Sequence, residues 1–136
     1  MIEKIAHIGI AVPELAAAVA VYEGVLGLTV DGYETVEDQL VNVAMLSGGD
    51  DVIELLEPTS PDSPIAKFID KRGPGIHHIC LQVDDIEATL ARFKAQGLKL
   101  IDEEPRAGAH GCRIAFVHPK STGGVLIELS EPGNDE

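Results

Sequence analysis

The sequence predicts an α+β fold made of two tandem βαβββ modules whose strands form a cupped mixed sheet. Two observations predict it. Apolar residues alternate in short runs and then recur at helical spacing, and that whole pattern returns 71 positions downstream, from "IAHIGIAVPELAAAVAVYEGVLGL" to "IHHICLQVDDIEATLARFKAQGLKL". Between the copies His7 falls on His78, Ile8 on Ile79, Val12 on Val83, Leu15 on Ile86, Val19 on Leu90 and Tyr22 on Phe93. One deletion later Gly27 falls on Gly97.

Each copy opens with a strand whose alternate residues are apolar, Ile8, Ile10 and Val12 in the first and Ile79, Leu81 and Val83 in the second. A turn and an amphipathic helix follow. Leu15, Val19, Tyr22 and Leu26, and then Ile86, Leu90 and Phe93, form the stripe that packs on the sheet. Gly27 and Gly97 stand where those helices should stop. Three strands are expected after each helix: "LTVDGYETV", "QLVNVAMLS" and "DVIELLE" in the first copy, "LKLID", "RIAFVH" and "GVLIELS" in the second. "GGDD" and "PKSTGG" are hairpin connections between the last two strands of each copy.

The expected organisation is one domain over residues 1–130, with module 1 at 1–58, a linker at 59–74 carrying a short helix over Pro64 to Lys71, and module 2 at 75–130. Residues 131–136 read as a disordered acidic tail.

Composition limits the function classes. The 136 residues are 45% apolar, ordinary for a globular chain, and the formal net charge is −13. Nucleic acid and anionic membranes are therefore excluded as partners. Residues 1–66 carry one basic and 12 acidic residues, residues 67–136 nine and 11, so an anionic substrate would be gripped by the second half. Cys80 and Cys112 are too few for a disulfide framework and read as reduced thiols of a cytoplasmic protein. The short apolar run before Pro13 does not fit a signal peptide, and no stretch is long enough to span a membrane.

The polar residues inside the strands carry the chemistry. Strand phase puts His7 on the face opposite Ile8, Ile10 and Val12, and puts His78 in the same phase beside Cys80 and Gln82. His77 takes the other face and reads as a packing or supporting residue. Glu54 in "VIELL" and Glu128 in "LIELS" are matched carboxylates between apolar neighbours. A buried carboxylate is expensive without a partner. Two imidazoles and two carboxylates from matched positions of two copies make a donor set for one divalent ion: Co, Mn, Ni, Zn or Fe(II). An octahedral ion so held keeps two positions open. His110 and His118 lie near the second hairpin and read as surface or packing residues.

Paired βαβββ modules with a His and a Glu from each resemble the vicinal oxygen chelate (glyoxalase-like) superfamily over almost the whole chain. Within it, "DVIELLEP", "DSPIAKFIDKRGPGIHHI", "LIDEEPRAGAHG" and "HPKSTGGVLIEL" are similar to the methylmalonyl-CoA epimerase family. The resemblance implies a metal-dependent homodimer that interconverts (R)- and (S)-methylmalonyl-CoA through a thioester enolate, with an acyl-CoA as substrate and cobalt as the favoured metal. The family's metal ligands fall on His7, Glu54, His78 and Glu128; at the Glu54 position some relatives carry Gln. Glu128 is expected to act as both ligand and acid/base. Certain epimerases carry a second Glu on the strand after a Gln-Gly-Val segment, and Val43 occupies that position here, so the second proton carrier is open. Glu37 and Asp38, nearby in sequence, read as a solvated loop.

For the CoA phosphates the second half offers Lys67, Lys71, Arg72, Arg106, Arg113 and Lys120. Arg113 and Lys120 are favoured because they flank the strand leading to Glu128, and Gln39 is a further candidate for substrate contact. Competing readings are a glyoxalase I-type lactoylglutathione lyase and a metal-free small-molecule-binding protein of the same fold. Four buried donors argue against the second.

Overall fold

The first strand follows the alternation of its sequence. β1 (Ile2–Ala11) buries Gly9 and Ala11, with the residues between them partly covered. In the computed structural model of the chain, residues 1–133 are described. They divide into two compact units, His7–His77 and Met1–Ala6 with the described chain from His78 onward.

In the His7–His77 unit, β1 is followed by α1 (Leu15–Val19), which continues into a π-helical turn over Ala20–Val25. β2 (Thr29–Val36), β3 (Val41–Gly48), β4 (Asp51–Pro58) and α2 (Pro64–Arg72) come next. The strand order is β2-β3-β4-β1, antiparallel except for the parallel β4/β1 pair. The first free N–H of α1, that of Leu15, is capped at 2.9 Å by Glu57 of β4. α2 begins on Ser63, whose hydroxyl accepts from the Ile65 N–H at 3.1 Å, with Pro64 at the first helical position.

One face of these strands packs Ala44, Leu46 and Leu55 against Val19, Leu15 and Tyr22 of the first helical segment. Burying a leucine as fully as Leu55 is worth about 1.5–3 kcal/mol. The opposite face packs Ala11, Val41, Val43, Met45 and Leu56 against Ile65, Phe68 and Ile69 of α2. The linker expected from sequence is thus partly core.

In the second unit, β5 (Gly75–Val83) contributes from His78 onward and is followed by α3 (Ile86–Ala95), β6 (Arg106–Ala107), β7 (Arg113–Val117) and β8 (Leu126–Glu131). The order is β1-β5-β8-β7-β6, with β5/β8 parallel and β7 antiparallel to both neighbours. Asp85 caps α3 by accepting from the Ala88 N–H at 3.0 Å. Ile86 and Leu90 of α3 pack on Val83, Ala115, Val117 and Leu129.

The repeat survives as matched topology, and its one-residue mismatch has a visible cause. The Leu28 N–H closes the first helix on the Tyr22 carbonyl, and the Leu98 N–H closes the second on the Phe93 carbonyl, both at 3.0 Å. The first helix holds one more residue inside that closure, which the wider π-helical turn absorbs. Gly27 and Gly97 then end both helices with positive φ, at 88° and 90°.

Two expectations are corrected. "LKLID" forms only an isolated bridge, Leu100 to Val117, and the edge strand is β6, two residues long. The reason is that Asp102 turns its side chain to the strand, its Oδ2 accepting from the Phe116 N–H at 2.8 Å, and Pro105 removes a donor. Glu131, expected in the tail, ends β8 and pairs with Arg113; residues 134–136 lie outside the described residues. Among the described residues no helix is long and apolar enough to cross a membrane.

Candidate metal centre

His7 and Glu54 share one face because β1 and β4 run parallel with Gly9 opposite Glu54, and His7 lies two residues before Gly9. This is the face opposite α1. His7 Nε2 stands 3.4 Å from Glu54 Oε1, and both side chains are nearly nine-tenths covered. The second unit repeats the arrangement: His78 Nε2 lies 2.9 Å from Glu128 Oε1, with side-chain exposures of 7% and 10%. Strand phase therefore brings one imidazole beside one carboxylate in each unit, His7 partly covered and Glu54, His78 and Glu128 buried.

These donors fit a divalent cation. A carboxylate withdrawn from water needs a positive or hydrogen-bonding partner, and imidazole nitrogen with carboxylate oxygen is the set that first-row divalent ions take. The second unit adds a softer donor. Cys80 is fully buried opposite Glu128 in the β5/β8 register, with its Sγ within 4.8 Å of a Glu128 carboxylate oxygen. Phe116 is the register partner of Glu128 on β7, and its ring meets that of His78 edge-on at 6.2 Å. The guanidinium of Arg106 lies 5.4 Å from the centre of the Phe116 ring, with Nε 3.4 Å from Asp102.

The sequence-favoured substrate residues fare differently. Arg113 is engaged by acidic neighbours. Its guanidinium pairs with Glu87 at 2.8 Å and with Glu131 at 2.6 Å, and its strand phase is that of Ala115 and Val117, the face covered by α3. Lys120 sits exposed in a short turn after β7, where His118 Nδ1 accepts its backbone N–H at 3.0 Å. Gln39 ends a single 3-10 turn between β2 and β3, just before Leu40 with φ of 55°. His77 contacts Phe68 of α2, ring centres 4.9 Å apart and nearly perpendicular, as a packing residue does. Sequence reasoning passed over Arg106 in favour of Arg113, although Arg106 shares the phase of Ile114 and Phe116 and hence the face of Glu128.

The chain belongs to the glyoxalase/bleomycin resistance protein/dioxygenase superfamily, which it matches over residues 6–116, and members of that superfamily generally bind a divalent metal. Within the superfamily, several relatives that match it at about 40% identity over nearly the full chain are named methylmalonyl-CoA epimerase, an isomerase. The ethylmalonyl-CoA/methylmalonyl-CoA epimerase of Cereibacter sphaeroides is 42% identical over 133 residues, covering 96% of this chain and 99% of that protein. The crystal structure of the Mycobacterium tuberculosis methylmalonyl-CoA epimerase superposes with a TM-score of 0.92 at 42% identity, covering 97% of this chain and 89% of that one. A glutamate-to-leucine variant of the Streptomyces coelicolor epimerase, in complex with 2-nitronate-propionyl-CoA, superposes with a TM-score of 0.92 at 39% identity, covering 100% and 99%.

Proposed function

We propose that this chain interconverts (R)- and (S)-methylmalonyl-CoA with one divalent ion held by His7, Glu54, His78 and Glu128. The observation that carries the reading is the close imidazole and carboxylate pair found in each unit, at matched positions of the repeat. When bound, the ion supplies Lewis-acid stabilisation of the negative charge that develops on a thioester oxygen. The resemblance to the epimerases favours cobalt.

Glu128 is the residue that takes the α-proton. Its carboxylate is 8% exposed, which strengthens its interaction with a bound carbon acid by excluding water, and the His78 imidazole beside it holds its orientation. Loss of that proton leaves a planar carbon, and return of a proton to the opposite face inverts it. The nitronate ligand of the Streptomyces coelicolor relative is a planar anion next to a thioester, a shape that supports this route. A homodimer working in the cytoplasm belongs to the same proposal.

The test is to incubate metal-loaded protein with each epimer of methylmalonyl-CoA in deuterated water and follow the α-proton by NMR. Exchange accompanied by interconversion is expected. Absence of exchange with any divalent metal would overturn the reading.

A further inference from the structure

The proposed reaction leaves one group of the substrate without a partner. The carbon that loses its proton to Glu128 also carries a free carboxylate. An anion taken from water into a covered site needs a cation or strong donors. The face of the second unit that carries His78 and Glu128 offers such a group.

The registers from β8 outward give the rows of that face. Glu128 is opposite Phe116, Ser130 is opposite Ile114, and Ile114 is opposite Arg106 on the edge strand β6. Arg106 therefore shares the face of Glu128, one row removed. Gly108, in the same phase, lies down on Ile114: a Cβ there would come 2.6 Å from Ile114 Cγ2, so the edge of the sheet is held close over this face. The Arg106 side chain returns along the rows, and its guanidinium lies 5.4 Å from the centre of the Phe116 ring. That ring meets the His78 ring at 6.2 Å, beside the 2.9 Å pair of His78 with Glu128. One aromatic ring thus separates the guanidinium from the imidazole.

Asp102 orients the guanidinium and leaves its fork open. The Asp102 Oδ2 accepts from the Phe116 N–H at 2.8 Å, and its Oδ1 stands 3.4 Å from Arg106 Nε. Arg106 has no other ion pair among the described residues, and its side chain is 48% exposed, so both terminal amino groups can receive an anion. Three other cations of the unit are committed elsewhere: Lys94 pairs with Glu103, Arg113 pairs with Glu87 and Glu131, and Arg92 lies over Phe93.

Resting on the epimerase reading, we propose that Arg106 binds the free carboxylate of the malonyl group and so selects 2-carboxyacyl thioesters over simple 2-methylacyl thioesters. A planar guanidinium matches a carboxylate through two parallel N–H donors. That carboxylate is bonded to the very carbon that Glu128 deprotonates, whereas the CoA phosphates stand a whole pantetheine arm away. A cation one ring from the His78 and Glu128 pair meets the former.

The Arg106→Gln variant tests the assignment when epimerisation of methylmalonyl-CoA and of methylmalonyl-pantetheine is measured side by side, because the second thioester has the same acyl group and no phosphate. The variant should lose about 10-fold or more in kcat/KM, the weight of a hydrogen bond to a charged group. The loss should come chiefly through a higher KM and be alike for both thioesters. Arg106→Lys, which keeps the charge without the fork, should recover part of it, and both variants should hold as much cobalt as the unaltered protein. A loss confined to methylmalonyl-CoA would assign Arg106 to a phosphate, and an unchanged kcat/KM with both thioesters would leave it no role; either result overturns the proposal. An unaltered protein that holds its metal and epimerises neither thioester would instead fail the epimerase reading itself, and the Arg106 assignment with it.

Discussion

His78 Nε2 and Glu128 Oε1 lie 2.9 Å apart between parallel neighbours β5 and β8, while His77, the next residue back, turns its ring edge-on to Phe68 of α2. Two adjacent histidines thus serve different ends because a strand alternates its faces.

Replacing His77 separates those ends. His77→Ala should retain bound metal and lower stability by about 0.5–1.5 kcal/mol, the worth of an aromatic pair beyond its buried area. Chemical denaturation and metal analysis of the purified variant measure the two quantities side by side.

Arg113 makes a prediction about pH. Its guanidinium holds the Glu87 carboxyl below the usual carboxylate range. A carboxylate whose folded value is lowered stabilises the fold at pH above its unfolded value, and that contribution disappears as the pH falls through the folded value. Arg113→Ala should therefore melt modestly below the unaltered protein above about pH 5. The gap should narrow as the pH falls through Glu87's lowered folded value, and added salt should narrow it at neutral pH because the pair is exposed. Melting curves across pH at two ionic strengths check this, and epimerase activity at neutral pH should change little.

The parts of the fold written as periodicity were legible in the sequence. The repeat gave both βαβββ orders and, through strand phase, the shared face of His7 with Glu54 and of His78 with Glu128. What stayed hidden depends on side chains that imitate backbone or on register across strands. Asp102 substitutes its carboxylate for a ladder acceptor, so "LKLID" reads as a strand and is not one. Position near Glu128 favoured Arg113 over Arg106, although phase alone separates them: Arg113 alternates with Ile114 and Phe116, and Arg106 is paired with Ile114. The extra residue of the first helix was visible as a deletion in the repeat, but its accommodation as a π-helical turn was not.

The proposed function requires that both copies of the repeat contribute donors to one metal ion. Metal content of protein loaded with Co(II) and then desalted, measured alongside the visible absorption spectrum of the ion, tests it most directly. One ion per chain is expected, lost or greatly weakened in His7→Ala and in His78→Ala alike. Full retention of cobalt, with an unchanged spectrum, in either variant would contradict the claim.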